Sequence, residues 1–194
     1  MRILSGKLKG SKILTNNNKI NGSERFITRP TSDRVKETLF NIVQHGFNID
    51  FTKVSFLDCF SGSGSIGFEA ISRGSTIVSF LEKDTNACEC IKKNLARFKL
   101  YEKNQLKNLH ILNYDFFDKN LSLNNKFDVV FLDPPYELVK ADKVFMRLYE
   151  LRVTKINSLI IYESNSEIEK VDGLKFLKSR KIGKTHLSFL KGFN

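Results

Sequence analysis

The 194-residue sequence has few cysteines and no long apolar run. The three cysteines, Cys59, Cys88 and Cys90, are an odd number without the spacing of a disulfide framework, which indicates reduced thiols and a cytoplasmic location. No segment approaches the roughly 18 apolar residues of a membrane span, and the N-terminus lacks the apolar core of a signal peptide. The sequence therefore predicts neither export nor membrane insertion.

Acidic residues are scarce relative to basic ones, and histidines are few. The chain has 32 Lys and Arg against 21 Asp and Glu, a formal net charge of +11, which favours a polyanionic partner. A Lys- and Asn-rich proteome would also raise the pI, so the total charge leaves both explanations open. His45, His110 and His186 are scattered, and Cys88-x-Cys90 has no second pair. We therefore expect neither a metal site nor a histidine-based catalytic triad.

The stretch Asp133-Pro134-Pro135-Tyr136 is the most informative part of the chain. It follows Phe127–Leu132, an apolar run of strand length. Two consecutive prolines end the strand, because proline has no N–H to donate and its φ is fixed. A carboxylate, a free carbonyl and an aromatic ring are thereby held at the carboxyl end of a buried strand, where ligands bind in open α/β sheets. Taken alone, the motif fits a simple strand stop equally well.

A strand, a glycine-rich turn and a helix predict a nucleotide-binding βαβ unit earlier in the chain. The strand is Val54–Asp58, the turn contains Gly62 and Gly64, and the helix ends at Gly74. The next strand ends at Glu82, twenty residues after Gly62. An acid at that position can accept two hydrogen bonds from ribose hydroxyls.

The turn also matches the G-x-G-x-x-G pattern of dinucleotide enzymes, through Gly62, Gly64 and Gly67. Asp58 at the preceding strand end would repel a pyrophosphate but attract an ammonium group. The turn is wider than a pyrophosphate turn, and the chain has no second domain to hold a hydride acceptor. S-adenosylmethionine, with a cationic amino acid end, a ribose and no phosphate, fits these residues better. Asp115, after the strand Leu109–Asn113, could accept from the adenine amine of that cofactor, although a solvated loop acid fits nearly as well.

The N-terminal segment reads as two short strands with four cations, Arg2, Lys7, Lys9 and Lys12. A basic ribbon outside the main domain is a plausible nucleic-acid contact, and a solvated hairpin is an equally good interpretation. We predict a hairpin extension over residues 1–24 and a main domain over residues 25–194. The next helix begins after Pro30, where Thr31, Ser32 or Asp33 can cap it.

Three motifs together resemble a class I S-adenosylmethionine-dependent methyltransferase that acts on an amino group. They are Asp58-x-Phe60-x-Gly62-Ser-Gly64, Glu82-Lys-Asp84 and Asp133-Pro-Pro-Tyr136. The start Met1–Gly6, the block Arg29–Asn41 and the ending Lys184–Leu190 narrow the resemblance to the bacterial RsmD family. That family methylates the N2 of a guanine in 16S ribosomal RNA of the small subunit. Cys59 and Ser61 depart from the usual family residues, but neither position supplies a needed charge.

The resemblance implies a Rossmann-like α/β fold with a seven-stranded, mostly parallel sheet, an antiparallel last strand and helices on both faces. It also implies that Thr31 and Arg34 lie near the cofactor and that the N-terminal hairpin contacts RNA. Asp133, Pro134 and Tyr136 would act at the target base. The cofactor would contact Asp58, Phe60, Gly62, Gly64, Glu82 and Asp115. We expect a cytoplasmic monomer without metal whose partner is ribosomal RNA or the small subunit. An adenine-N6 methyltransferase acting on DNA or RNA is the alternative, because it shares the Asp-Pro-Pro-Tyr motif.

Overall fold

The computed structural model describes residues 1–15, 17–20, 23–26, 31–100, 108–135, 139–168 and 170–192. Tyr136 lies outside the described residues, so the role predicted for it stays a prediction. The helices are α1 (Asp33–Asn41), α2 (Ser65–Arg73), α3 (Thr85–Arg97) and α4 (Ala141–Leu151). The strands are β1 (Asn17–Ile20), β2 (Ser23–Phe26), β3 (Ser55–Cys59), β4 (Ile77–Glu82), β5 (Leu109–Asn113), β6 (Phe127–Leu132), β7 (Thr154–Ser164), β8 (Lys175–Ile182) and β9 (Thr185–Lys191). Within these parts of the chain, no helix has both the length and the apolar character needed to cross a membrane.

Seven strands form one sheet in the order β5-β4-β3-β6-β7-β9-β8. All pairs from β5 to β7 are parallel, whereas β9 runs antiparallel to both β7 and β8. The predicted mostly parallel sheet with a reversed last strand is therefore confirmed. The chain builds outward from β3 through β4 to β5 and then returns to place β6 on the other side of β3. The strand order thus reverses between β3 and β6, the place where α/β sheets of this kind bind ligands.

Both faces of the sheet are covered, because successive strand residues point to opposite sides. Phe56, Phe80 and Phe131 belong to the core cluster that includes the apolar residues of α1, α2 and α3. Leu81 and Leu132 belong to the cluster that includes the apolar residues of α4. The near-continuous apolar runs of the central strands follow from this two-sided burial.

Helix α1 begins where the sequence predicts. Ser32 caps it, and its hydroxyl accepts from the Val35 N–H at 3.3 Å. Val35, Leu39 and Val43 are buried, as expected for one apolar face. The helix passes directly into one turn of π-helix, Ile42–Gly46.

The N-terminal segment is integrated into the core rather than lying apart from it. Arg2 and Lys12 form a single antiparallel bridge, and the chain turns between residues 5 and 10. Ile3 and Ile13 are buried in the same cluster as α1 and α2. The regular two-stranded hairpin lies further along, in β1 and β2. The division at residue 24 stays a prediction, but the packing of residues 1–15 makes them part of the main domain's core.

Candidate active site

Three carboxylates lie at the carboxyl ends of three neighbouring strands. Cys59 of β3 pairs with Leu81 of β4 on one side and with Leu132 of β6 on the other. Glu82 and Asp133 each come one residue later and therefore flank the position after Cys59. Neighbouring strands are about 4.8 Å apart, so the Cα atoms of Glu82 and Asp133, two strands from each other, are separated by roughly 10 Å. Asp58 lies just below this level on β3, so the structure brings together the three acids that the sequence singles out.

The turn after β3 has a left-handed backbone at several positions. Gly62 and Gly64 have φ values of 54° and 78°, and Phe60, a non-glycine residue, has a φ of 59°. The Ser61 hydroxyl stabilises the turn by donating to the carbonyl of Asp58 at 2.6 Å. A left-handed conformation is uncommon for a bulky L side chain, and residues held in it cluster at functional sites. The turn forms one wall of the crevice at the β3–β6 reversal.

Asp58 is almost completely buried, with 1% of its surface exposed. Its Oδ2 accepts from the Gly67 N–H in the first turn of α2, at 2.9 Å. Burial raises the pKa of this carboxyl well above its usual range, and the charges of Asp133 and Glu82 add to that rise. A cation bound beside Asp58 would offset the repulsion from these neighbouring acids and favour the ionised carboxylate, which is consistent with a site for a cationic group. In this structure Asp58 also holds the start of α2, a role that the sequence did not indicate.

Glu82 is also buried and turns back toward the glycine turn. Its Oε2 accepts from the Gly62 N–H at 2.8 Å, and its Oε1 accepts from the Asp84 N–H at 2.9 Å. The Gly62 N–H, which a pyrophosphate would need, therefore already donates to Glu82, and the negative charge of Glu82 would repel a phosphate. This contact favours a phosphate-free cofactor over a dinucleotide. A carboxylate has about four acceptor positions, so two remain for hydroxyl donors.

Asp133 is half-buried, Pro134 is buried and Pro135 is exposed at the end of β6. Asp133 follows Leu132, which pairs with Tyr162 of β7, so it lies beside Glu163. Burial, followed by the charge of Asp133, raises the pKa of Tyr162 to about 12. Glu163 is 5% exposed and points to the same face of the sheet as Asp133. In the sequence, Glu163 was visible only as the last residue of a predicted strand. Its neighbour in the fold, Asp133, is thirty positions earlier in the chain.

Asp115 lies at the far side of the crevice, after β5. Its Oδ1 accepts from the Phe117 N–H at 2.9 Å, and its Oδ2 lies 3.8 Å from the Lys83 ammonium. The ring centroid of Phe60 is 4.9 Å from that of Phe116 and 6.5 Å from that of Phe117. These rings form an apolar wall beside Asp115, which the sequence did not predict because Phe60 and Phe116 are far apart in the chain.

Thr31 and Arg34 lie next to α1 and on it, and in the described parts of the chain neither forms a hydrogen bond or an ion pair with the strand-end acids. Arg34 lines a cleft of about 420 Å³ with Arg2, Lys9 and other residues of the N-terminal segment and α1. Nothing in the described geometry joins it to Asp58 or Glu82, so its cofactor role stays a prediction. All four N-terminal cations are exposed, and Arg2 pairs with Asp33 at 3.1 Å.

The N-terminal segment is held by two buried ionic side chains that the sequence did not single out. The Lys36 ammonium donates to the Arg2 carbonyl at 2.6 Å, and Glu69 Oε2 accepts from the Leu4 N–H at 2.7 Å. Both side chains have 0% exposure. Burial lowers the pKa of Lys36, although the nearby Glu69 and Asp33 charges oppose this effect. Among the described residues, no group of three or more His, Cys, Asp or Glu side chains is arranged to hold a metal ion.

The sheet topology, the glycine turn and the acids at the strand ends define a class I methyltransferase that depends on S-adenosylmethionine. The chain belongs to the RsmD family. The matching family model, described as "Conserved hypothetical protein 95", covers residues 1–191.

Relatives with curated names agree with this assignment. The ribosomal RNA small subunit methyltransferase D of Haemophilus influenzae is 38% identical over 167 residues, which are 86% of this chain and 80% of that protein. The protein of the same name from Escherichia coli is 29% identical, over 86% of this chain and 76% of that protein.

Solved structures show the same fold. A putative methylase from Haemophilus influenzae superposes with a TM-score of 0.75 at 30% identity, covering 100% of this chain and 98% of that one. An RNA methyltransferase from Salinibacter ruber in complex with S-adenosyl-L-homocysteine shares the fold with a TM-score of 0.60 at 15% identity, covering 84% of this chain and 93% of that one.

Proposed function

We propose that this enzyme methylates the exocyclic N2 of a guanine in 16S ribosomal RNA of the small subunit. The single observation that carries the proposal is the position of Asp133 and Pro134. They lie at the carboxyl end of β6, directly beside the reversal of strand order and next to Asp58 and Glu82. The names of the curated relatives support small-subunit RNA as the substrate class.

The residues around the crevice fit S-adenosylmethionine, which supplies an electrophilic methyl group on a positively charged sulfur. Asp58 would face its ammonium group and Glu82 its ribose hydroxyls. Asp115 and the Phe60 ring would hold its adenine, while Gly62 and Gly64 let the backbone approach closely. Thr31 and Arg34 would close over the cofactor from α1. These assignments rest on the type and placement of the side chains at the strand ends.

The target amine is a weak nucleophile, because its lone pair is delocalised into the guanine ring. The Asp133 carboxylate and the Pro134 carbonyl would accept its two N–H groups and so direct the lone pair toward the methyl group. The Pro134-Pro135 pair keeps both acceptors in place. Orientation of this kind can contribute up to ~7–11 kcal/mol in ideal cases. Tyr136, which follows in the sequence, would stack on the extruded base and contribute ~1–3 kcal/mol.

The RNA must present an unpaired or flipped guanine, because N2 is paired inside a duplex. The exposed cations Arg2, Lys7, Lys9 and Lys12 would contact the phosphates that flank it. We also propose that the enzyme acts as a cytoplasmic monomer without a metal ion.

The test is transfer of a labelled methyl group to unmodified 16S RNA and to small-subunit particles, followed by nucleoside analysis. N2-methylguanosine is the expected product. Asp133→Ala should lower the single-turnover rate by about a hundredfold or more, because misorientation of the amine removes the near-attack geometry. Its affinity for S-adenosylmethionine, measured separately, should stay close to that of the wild type.

The matched control is Asp172→Ala, which removes the same charge from a side chain that is 97% exposed. It should leave the rate unchanged. An Asp133→Ala rate within tenfold of the wild type would rule out the proposed role. N6-methyladenosine as the product would instead establish the adenine-N6 alternative, which uses the same motif.

A further inference from the structure

A second cleft, of about 310 Å³, lies between α1 and the edge strand β8. It is lined by Thr38, Asn41, Ile42, Gly46, Lys178 and Arg180. The lining thus offers two cations and an amide as donors, and it contains no acid. The Thr38 hydroxyl is not available as a donor, because it already donates to the Arg34 carbonyl at 2.8 Å. Neither cation forms an ion pair with any described residue. Such a set of donors is suited to phosphate oxygens.

The register places these cations on the same face of the sheet as Asp133. Lys178 and Arg180 pair with Phe189 and Leu187 of β9, which belong to the core cluster that includes the apolar residues of α1. Ile182, two residues further, is buried in that cluster. Leu187 and Phe189 are buried, whereas Lys178 and Arg180, their partners on the edge strand, are exposed. Beside α1, this edge of the sheet therefore presents two cations to the cleft.

The same register fixes their distance from the reaction point. Arg180 pairs with Leu187, Leu187 pairs with Glu163, and Glu163 lies beside Asp133. Arg180 is therefore at the level of Asp133, three strand spacings away, or roughly 14 Å. That distance corresponds to about four nucleotides at ~3.4 Å of rise per stacked nucleotide. An RNA strand whose guanine reaches Asp133 can thus lay its neighbouring phosphates along the cleft.

Helix α1 connects this cleft with the one beside the N-terminal segment. Arg34 lines the N-terminal cleft, whereas Thr38 and Asn41 line the second. The three residues are spaced i, i+4 and i+7 and so share one face of the helix. A polar stripe about 10 Å long, at 1.5 Å per residue, therefore joins the two groups of cations.

We propose that the α1–β8 cleft is a second RNA-contacting surface, in which Lys178 and Arg180 bind phosphates of nucleotides near the target guanine. The proposal rests on the proposed function, since it assumes that the partner is RNA. The competing explanation is that these cations only protect an exposed sheet edge from pairing with other strands.

The test is the salt dependence of binding to unmodified 16S RNA transcribed in vitro, between about 50 and 200 mM salt. Lys178→Ala/Arg180→Ala should weaken binding about tenfold and make the slope of log K against log salt shallower by roughly 1.4–1.8, because two phosphate contacts are lost. Its affinity for S-adenosylmethionine should match that of the wild type.

The control is Lys119→Ala/Lys143→Ala, which removes two exposed charges from the face of the molecule that carries α4. It should shift the slope little. If the slope of log K against log salt changed equally in both double variants, the change would depend only on total charge, and the proposal would be overturned. The proposal would also be overturned if the Lys178→Ala/Arg180→Ala protein aggregated while its monomer bound RNA normally. The two cations would then serve only to protect the sheet edge from pairing with other strands. Since binding requires no methyl transfer, a failure of the proposed reaction would show separately, as normal RNA binding without product.

Discussion

Gly67 lies where helix α2 packs against strand β4, and the backbone there has no room for a side chain. A Cβ at this position would be 2.3 Å from Cε1 of Phe80, whose ring is fully buried. The Gly67 N–H also donates to Asp58. The last glycine of the G-x-G-x-x-G pattern thus serves helix–strand packing, as it does in dinucleotide-binding folds, and it also places an N–H on the buried acid.

Gly67→Ala should destabilise the fold by about 1–3 kcal/mol, because Phe80 must shift in a closely packed core. Urea unfolding measures the loss. Gly46→Ala is the matched control, since a Cβ there would meet only Cγ2 of Ile42, at 3.6 Å. Equal stability of the two variants would show that the Phe80 contact does not constrain Gly67.

At the scale of elements, helices α1 and α2 hold the N-terminal segment through buried ionic groups. Glu69 on α2 accepts from the Leu4 N–H and, through Oε1, from Arg73 Nε at 3.0 Å. The Arg73 guanidinium lies 4.8 Å from the centre of the Phe40 ring, which adds a cation–π contact. The segment is thereby fixed by α2 as well as by Lys36 of α1.

Glu69→Gln should destabilise the protein by about 3 kcal/mol. A glutamine replaces one of the two carboxylate oxygens with an NH2 group, so either the Leu4 N–H or the Arg73 Nε–H would face a donor instead of an acceptor. Hydrogen exchange at the Leu4 amide should accelerate as well. The control is Glu89→Gln, because Glu89 is exposed and pairs with Lys92. We expect this variant to change the free energy of unfolding by only about a few tenths of a kcal/mol. Unchanged exchange at Leu4 would contradict the anchoring role of Glu69.

At the scale of the whole molecule, the reversal of strand order between β3 and β6 decides where the ligand site lies. Strands β4 and β6 bring Glu82 and Asp133 to the two sides of Phe60, although these acids are 51 positions apart in the sequence. The antiparallel pair β9 and β8 extends the same sheet toward the cations of the second cleft. The crevice and the second cleft are therefore built on the same sheet.

S-adenosylhomocysteine should stabilise the protein, whereas NAD should not, because Glu82 occupies the N–H of Gly62 that a pyrophosphate would need. At 100 times its Kd, a ligand adds ~2.7 kcal/mol. For a chain of this size, that gain raises Tm by roughly 5–10 °C. Thermal unfolding with each ligand measures the difference, and a comparable shift with NAD would contradict the assignment of the glycine turn.

Local sequence patterns predicted the strands β3 to β6, the glycine turn and the three acids at the strand ends, but they misplaced the N-terminal hairpin. Those signals are local: a Pro134-Pro135 stop, a left-handed turn and apolar runs of strand length depend on residues a few positions apart. The resemblance of the motifs to a known family added the seven-stranded, mostly parallel sheet with a reversed last strand and the cofactor. Even the start of α1 was predictable, because Ser32 caps a helix whose apolar face is visible in its spacing.

The contacts of Glu69 and Lys36, and the positions of Glu163 and of the cations on β8, could be found only in the folded chain. The partners of Glu69 and Lys36 in the N-terminal segment are 65 and 34 positions away in the sequence. Whether a charged residue is buried, or a strand face is left uncovered, depends on which elements pack against it. That information lies in the three-dimensional arrangement of the elements, and it is absent from the local pattern of the sequence.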